Sequence, residues 1–236
     1  MKEEVRQRFG GCAATYDNAA EVQRRVAHRL ADMAAPLLAD GIRVLEIGCG
    51  TGTLSERLMR LCRPSLYTLN DISGEMIATA LRRMEATGKT TPTDIMEGDA
   101  ELAAWPAADA VVSASAVQWF ERPTEFLAKA STCLPRGGTV ALATYGPQTF
   151  RELREGGAPN GYPTMSEWRK AMARHGFETV AAESETVTQT FASRTAMLRM
   201  IAQSGIGTRR ERQDAGGGNG ARELTWECLM LVGRRR

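Results

Sequence analysis

Apolar and polar positions follow two different periods along the first part of the chain. Apolar residues recur at helical spacing within residues 1–40, which predicts a helical N-terminal segment that ends at Gly41. Short apolar runs of strand length come next, and most of them are separated by helical patterns. The predicted strands cover 42–47, 65–71, 93–96, 108–114 and 139–144, and the predicted helices cover 53–61, the segment capped by Ser73, and 126–133. Strands that alternate with helices predict right-handed βαβ units and a largely parallel sheet.

The pattern changes after Tyr145. Helical periods are predicted at 150–154, 165–175 and 194–204, and strand periods at 178–191 and 224–232. The stretch 192–222 is too long for a hairpin turn and contains the glycine-rich run 216–220. It is therefore expected to form an insertion over the edge of the sheet.

Composition and charge are ordinary for a globular protein, and they exclude strong electrostatic attraction to nucleic acid. The sequence is 43% hydrophobic and 25% charged, with a net charge of +2. The charge is uneven, because residues 191–236 hold 9 basic and 4 acidic side chains, a net of +5 that leaves −3 for the rest. A solvated basic segment and a surface for an acidic partner both account for this excess.

Targeting signals and cysteine usage restrict the location of the protein. No signal peptide and no run of about 20 apolar residues is visible, so a cytoplasmic chain without membrane contact is expected. The five cysteines are scattered and form no CxxC pair, which favours a reducing compartment over a disulfide framework or a zinc site. No metal is therefore expected.

A glycine-rich segment follows the first predicted strand. Gly48, Gly50 and Gly52 alternate along it, and glycine allows both a positive φ and close approach of the backbone to a ligand. The dinucleotide-binding fingerprint places its third glycine one residue later, where this chain has Thr53. A nicotinamide cofactor is therefore disfavoured, while a tight turn and another nucleotide-like ligand both remain open.

Two acidic residues follow the next strands. Asp71 ends the second predicted strand, 19 residues after Gly52, where an ionised carboxylate can accept both hydroxyls of a ribose. Asp99 follows the third strand, at the expected position of an adenine edge. Ligands of open α/β sheets bind at the carboxyl ends of the strands, so the three loops together predict one nucleoside-binding site.

These three segments resemble the first three motifs of class I S-adenosylmethionine-dependent methyltransferases. The resemblance implies a Rossmann-like α/β fold with seven strands in the order 3-2-1-4-5-7-6, strand seven antiparallel. It also implies one domain over 1–236, with a helical segment at 1–40, a cofactor-binding core at 41–145, and a substrate cap with the last two strands at 146–236. The cofactor would be S-adenosylmethionine and the product S-adenosylhomocysteine.

The same resemblance implies a role for each matching residue. The three glycines would contact the amino-acid part of the cofactor, Asp71 the ribose and Asp99 the adenine amine. Ile72 and Ala100 would flank the adenine. Further implied contacts with the cofactor are Gln23, Glu46, Met76 and Ser113.

Other segments resemble the malonyl-acyl-carrier-protein O-methyltransferases of biotin synthesis. They are Phe9 with Ala14–Asp17, Ala20 and Gln23, then Ala116–Trp119, Tyr145–Leu153 and Leu224–Arg234. Tyr16-Asp17 is also similar to quinone methyltransferases, and Gln118-Trp119 to trans-aconitate methyltransferases. The family usually has a His-Val pair where this chain has Gly161–Thr164, so the substrate cap is expected to differ.

The finer resemblance implies methylation of the free carboxylate of a malonyl thioester, carried by acyl carrier protein or coenzyme A. A carboxylate is ionised at neutral pH and needs no general base, so positioning without a catalytic residue is expected. The substrate-binding candidates are Tyr16, Gln118, Trp119 and Arg151. Helix packing for Tyr16, core packing for Trp119 and a surface position for Arg151 remain alternatives.

Other functions and the partner also remain to be distinguished. A methyltransferase for trans-aconitate or a quinone precursor, and a non-catalytic cofactor-binding protein, are the alternatives. An acidic carrier protein, rather than nucleic acid, is the expected partner of the basic segment. The arginines expected to meet it are Arg194, Arg199, Arg209, Arg210 and Arg212.

Overall fold

A seven-stranded sheet forms the centre of the computed structural model, which describes residues 2–12, 16–154, 161–203 and 222–236. Its order is β3-β2-β1-β4-β5-β7-β6, and β7 runs antiparallel to both β5 and β6 while the other pairs are parallel. The predicted fold class and strand order are confirmed. The strands are β1 (Arg43–Ile47), β2 (Leu66–Asp71), β3 (Thr93–Glu97), β4 (Ala110–Ala114), β5 (Thr139–Tyr145), β6 (Phe177–Thr190) and β7 (Glu223–Arg235).

Helices cover both faces of this sheet, and their ends follow local sequence signals. Thr53–Leu61 is helical as predicted, and the Ser73 hydroxyl accepts the Met76 N–H at 3.3 Å to cap the next helix. Thr164 and Glu167 form a reciprocal capping box at the start of another. The helices are α1 (Lys2–Cys12), α2 (Tyr16–Ala19), α3 (Glu21–Ala34), α4 (Thr53–Leu61), α5 (Gly74–Glu85), α6 (Glu125–Cys133), α7 (Met165–Arg174) and α8 (Arg194–Gln203).

Some predicted bounds are wrong. The helix expected at 150–154 is a single 3₁₀ turn, Arg151–Leu153, and the last strand extends past Val232 because its pairing with β6 continues to Arg235. The predicted N-terminal segment is divided into α1, α2, α3 and a short 3₁₀ turn, and this last turn ends at Leu37, before Gly41. Of the predicted insertion 192–222, α8 packs against α2, and residues 204–221 lie outside the described part.

Two apolar layers fill the space between sheet and helices. One face buries Leu30 of α3 and Leu58 of α4 against the sheet, and the other buries Phe126 of α6 and Trp168 of α7. All four side chains are fully buried. Every residue of β5 is buried, as expected for a strand covered on both faces.

Ion pairs join the N-terminal helix α3 to the far edge of the sheet. On α3, Arg29 binds Glu183 of β6 at 2.5 Å, and Arg25 binds Glu185. The helix therefore spans the face from β6 to the strand ends where the glycines lie. Within the described ranges, no helix combines the length and apolar character needed to cross a bilayer.

Candidate active site

A cavity opens at the carboxyl ends of β1, β2, β3 and β4. The loops after these parallel strands form its floor, and the N-terminal helices α1, α2 and α3 contribute a wall. The predicted site residues that line it are Tyr16, Gln23, Glu46, Gly48, Gly50, Asp71, Ile72, Met76, Asp99, Ala100 and Trp119. The structure therefore brings most of the residues selected from the sequence to one place.

The three glycines of the loop differ in what surrounds them. All have positive φ, at +68° for Gly48, +53° for Gly50 and +84° for Gly52. A Cβ at Gly52 would lie 2.7 Å from Cα of Ala80 in α5, whereas a Cβ at Gly50 would meet no heavy atom within 4 Å. Gly52 thus permits close packing against a helix and does not line the cavity, while Gly50 leaves open space beside it.

Asp71 has its carboxylate at the end of β2. It accepts hydrogen bonds from the backbone N–H groups of Gly50 at 2.9 Å and Ser73 at 3.0 Å, so it also fixes the shape of the glycine loop. Burial raises its pKa from 3.8 to about 6, against the opposing effect of these hydrogen bonds. A ligand that brings donors or positive charge would favour its ionised form.

Glu46 is a second buried carboxylate of the cavity, at 1% exposure. It accepts hydrogen bonds from the hydroxyls of Ser55 and Tyr67, both at 2.6 Å. Burial raises its pKa to about 7, and the two hydrogen bonds oppose that rise. The floor of the cavity therefore holds two carboxylates that can compensate a cationic ligand.

Gln23 of α3 has polar atoms in the same region that find no partner among the described residues. The side chain is 7% exposed, and both its amide oxygen and its amide nitrogen are buried and lack a hydrogen bond within this part of the chain. Buried amides are nearly always satisfied, and an unpaired one costs about 1–3 kcal/mol. Because Gln23 lines the cavity, a polar ligand there would supply the missing partners.

Aromatic rings close another part of the cavity. The ring centroids of Phe9 and Tyr16 are 6.1 Å apart, and those of Phe9 and Trp119 are 5.8 Å apart, both in edge-to-face packing. Burial, followed by the charges of Asp71 and Asp17, raises the pKa of Tyr16, so its phenol stays protonated. Tyr16 and Trp119 thus line the cavity and also pack within the wall.

Asp17 of α2 joins that wall to the glycine loop. It accepts the Thr51 hydroxyl at 2.6 Å and pairs with Arg83 of α5, while its backbone carbonyl accepts from Arg24 at 3.0 Å. Arg24 also lines the cavity, a cation that the sequence did not single out. Its only signal in the sequence is that it neighbours Gln23 on a helix.

The residues expected to surround an adenine lie together at the β3 side of the cavity. Ile72, Met76 and Ala100 contribute apolar surface there, and Met76 and Ala100 are buried. The Asp99 carboxylate accepts the backbone N–H of Glu101 at 2.9 Å, which orients it at the loop start.

Three further predicted residues lie outside the lining. The Ser113 hydroxyl donates to the Ile47 carbonyl at 2.8 Å, which joins β4 to β1. The Gln118 amide donates to the Ser115 carbonyl at 2.6 Å and is 9% exposed. Arg151 is exposed, with its guanidinium 3.4 Å from Glu152. Their expected contacts with cofactor or substrate stay predictions, while Ser115, which the sequence did not single out, does line the cavity.

Comparison with known proteins agrees with this geometry. A family model described as a methyltransferase domain matches residues 45–142. The malonyl-[acyl-carrier protein] O-methyltransferase of Haemophilus ducreyi is 32% identical over 208 residues, 87% of this chain and 80% of that protein. The protein of the same name from Bacteroides thetaiotaomicron is 30% identical over 205 residues, 86% and 77% of the two chains.

A solved structure shares the fold. Magnesium protoporphyrin IX methyltransferase from Synechocystis, with bound SAH, superposes with a TM-score of 0.58 at 17% identity. The superposition covers 91% of this chain and 83% of that one.

Proposed function

This chain belongs to the class I S-adenosylmethionine-dependent methyltransferases, and we propose that it methylates the free carboxylate of a malonyl thioester. The acceptor is malonyl-acyl-carrier protein or malonyl-coenzyme A, and the product is the methyl ester, formed at an early step of biotin synthesis. Relatives of that name, 30–32% identical over most of the chain, support the proposal.

The chemistry of the cavity lining carries the proposal. Glu46 already accepts two hydroxyls and Asp71 two backbone N–H groups, and both, with Asp99, are assigned to the cofactor, so none of them is assigned as a base for the acceptor. Burial raises the pKa of Cys49 well above that of an ordinary thiol, so this lining residue is uncharged. The two histidines, His28 and His175, lie outside the described lining. An acceptor that is already ionised, and so needs no base, suits such a site.

The residues present fit S-adenosylmethionine. The unpaired amide of Gln23, the open space at Gly50 and the buried carboxylates of Glu46 and Asp71 match a ligand that is both cationic and rich in donors. Asp71 would hold the ribose and Asp99 the adenine amine. Gly48, Gly50, Gln23 and Glu46 would surround the amino-acid part.

The protein contributes position and exclusion of water. When bound, S-adenosylmethionine supplies an electrophilic methyl group on a sulfonium. Phe9, Tyr16 and Trp119 provide an apolar wall that keeps water from this end of the cavity and presents ring faces that tolerate a cation. The carboxylate attacks without losing a proton, so alignment of donor and acceptor is the main task of the site.

The carrier protein is proposed to approach beside α8. This helix packs against α2, which places Tyr16 in the cavity wall, so α8 lies next to the site. Arg199 of α8 is exposed and Arg194 is half-buried. Arg209, Arg210 and Arg212, expected on the same surface, lie outside the described residues. Basic side chains at a rim act mainly on the rate of encounter with an acidic partner.

A methyl-transfer assay with a panel of acceptors tests the proposed function. Malonyl-acyl-carrier protein and malonyl-coenzyme A should be methylated, and base treatment should release methanol from the product because it is an ester. Turnover of trans-aconitate alone, or a base-stable product from a quinone precursor, would assign another substrate. Tight cofactor binding without turnover of any acceptor would favour a non-catalytic protein.

The substitution Arg199→Glu should affect the two thioester substrates differently. We expect a raised KM for malonyl-acyl-carrier protein, most evident at low salt, and little change for malonyl-coenzyme A, which has no protein surface. Arg174→Glu, on the exposed face of α7, is the matched control. Equal losses on both thioesters would place Arg199 in the fold or the cavity instead.

A further inference from the structure

Ser115 occupies an unusual backbone conformation at the end of β4. Its φ is +58°, and among the described non-glycine residues only Phe150 shares a positive φ. Such a conformation is strained for a residue with a Cβ, and strained residues that persist are often found in active sites. Glycine would adopt this conformation without strain, so a contribution of the Ser115 side chain would account for a serine at this position.

The Ser115 hydroxyl lies 2.8 Å from the phenol oxygen of Tyr145, which ends the neighbouring strand β5. Tyr145 is 1% exposed, and its ring packs on Trp226 with centroids 5.4 Å apart. Burial raises the pKa of Tyr145 well above its usual value, so the group is a neutral phenol. Within the described residues, this is the one hydrogen bond between side chains that either hydroxyl makes.

We assign the direction of this hydrogen bond from the acceptors available to the buried phenol. A buried phenol needs an acceptor for its O–H, and the oxygen of Ser115 is the acceptor that the described structure offers. When Tyr145 donates, the proton of Ser115 is not used within the pair. Ser115 lines the cavity, so this proton is free to meet a ligand there.

Gln118 fixes the backbone around this serine. Its amide nitrogen donates to the Ser115 carbonyl at 2.6 Å, and its amide oxygen lies 3.4 Å from the Thr144 hydroxyl. The backbone N–H of Ser115 donates to the Ala143 carbonyl at 2.9 Å. Strand β5 and Gln118 together hold the strained residue in place.

We propose that the Ser115 hydroxyl, oriented by Tyr145, donates a hydrogen bond to the carboxylate that accepts the methyl group. The assignment rests on the proposed function and names a substrate-binding residue for it, with Tyr145 and Gln118 as positioning residues. The bond goes to the carboxylate oxygen that is not methylated, which turns the other oxygen toward the methyl donor. A neutral donor holds the carboxylate without pairing it with a full positive charge, so the attacking oxygen keeps its electron density.

Four variants test the assignment with malonyl-acyl-carrier protein. Ser115→Ala should lower kcat/KM by about 10- to 100-fold, as expected when a hydrogen bond to a charged group is lost, and change the Kd of S-adenosylmethionine by less than about twofold. Tyr145→Phe should cause a smaller loss, because the serine remains but is not oriented. The double variant should be no worse than Ser115→Ala, since the two side chains act as one unit.

The variant Ser115→Gly distinguishes the proposed role from a structural one. It relieves the strained φ, so its thermal midpoint should exceed that of Ser115→Ala while its kcat/KM is equally low. Ser65→Ala is the matched control, because the Ser65 hydroxyl donates to the Gly41 carbonyl at the amino end of β2, away from the cavity at the carboxyl ends of the strands. Its kcat/KM should equal that of the wild type.

Each outcome separates this assignment from the proposed function. Wild-type turnover of malonyl thioesters together with a normal kcat/KM in Ser115→Ala or Ser115→Gly would overturn the assignment alone. Additive losses in the double variant would overturn the coupling of Tyr145 to Ser115. Absence of wild-type turnover on malonyl thioesters would overturn the proposed function and the assignment with it.

Discussion

We predict that the carboxylate of Asp71 affects both the stability of the cofactor-free protein and the binding of S-adenosylmethionine. It is 7% exposed, and burial raises its pKa from 3.8 to about 6. At about 1.36 kcal/mol per unit of pKa, this rise amounts to about 3 kcal/mol against the ionised form. A carboxyl with a raised folded-state pKa contributes stability that is complete below its unfolded pKa and is lost as the pH rises through about 6.

Asp71→Asn removes this charge and keeps the size of the side chain. Its amide accepts hydrogen bonds only at the oxygen, which is a cost that does not vary with pH. The unfolding free energy of the cofactor-free variant, relative to wild type, should therefore rise by about 1–2 kcal/mol between pH 5 and pH 8. Its S-adenosylmethionine affinity should fall about 10- to 150-fold, which corresponds to the loss of about 1.5–3 kcal/mol in hydrogen bonds to a charged group.

Urea unfolding at several pH values and titration calorimetry at pH 8 measure the two effects. Asp109→Asn is the control, because hydrogen bonds from Arg43 lower the pKa of Asp109 at the amino end of β4, so this carboxyl is ionised in both the folded and the unfolded state above about pH 5. The stability of that variant relative to wild type should be flat between pH 5 and pH 8, and it should bind the cofactor normally. A relative stability of Asp71→Asn that is flat or falls with pH, or an unchanged cofactor affinity, would refute the reasoning.

Three further predictions concern the glycine loop, the wall of the cavity and Arg151, a substrate-binding candidate from the sequence. Gly50→Ala should fold with a loss of about 1 kcal/mol in unfolding free energy and bind the cofactor poorly, whereas Gly52→Ala should lose about 2 kcal/mol or more because its Cβ meets Ala80. Thermal unfolding measures the two stabilities and calorimetry the cofactor affinity, and equal stabilities would contradict the distinction. Asp17→Asn should raise the dissociation rate of the cofactor about threefold to tenfold, since it weakens the contacts with Thr51 and Arg83. A dissociation rate equal to that of the wild type in a stopped-flow measurement would show that α2 does not retain the cofactor. Arg151→Ala should raise the KM for malonyl-acyl-carrier protein with the cofactor Kd unchanged, and Arg151→Lys should not fully restore it; a normal KM would leave Arg151 as a surface residue.

The fold could be predicted from the sequence because its core obeys local rules. The helix Thr53–Leu61 has a clear amphipathic period and a glycine at its start, and the buried strands are short apolar runs. The break before α3 could not be predicted, because Ala20 at its cap position makes no capping hydrogen bond and gives no signal in the sequence. Pairing with β6 extends β7 beyond its apolar run, and such pairing is a tertiary effect.

The residues of the site could be predicted where a motif fixes the backbone. They could be predicted less well where the direction of a side chain determines whether the residue lines the cavity. The loop glycines and Asp71 follow strand ends, so their common location could be deduced from a parallel sheet. Ser113 and Ser115 are the same residue type two positions apart, but Ser113 lies within β4 and binds the Ile47 carbonyl, whereas Ser115 has a positive φ and lines the cavity. No residue type in the sequence indicates the positive φ of Ser115.

The position of β7 also affects how the protein is made. It follows β6 in the sequence but lies between β5 and β6, so neither of these strands has its native partner on that side until β7 has been synthesised. Until β7 has emerged, both strands keep an unpaired edge, and such edges favour association with other nascent chains. We expect substitutions that weaken β7 to reduce the yield of soluble protein in cells more than they reduce the activity of the molecules that fold.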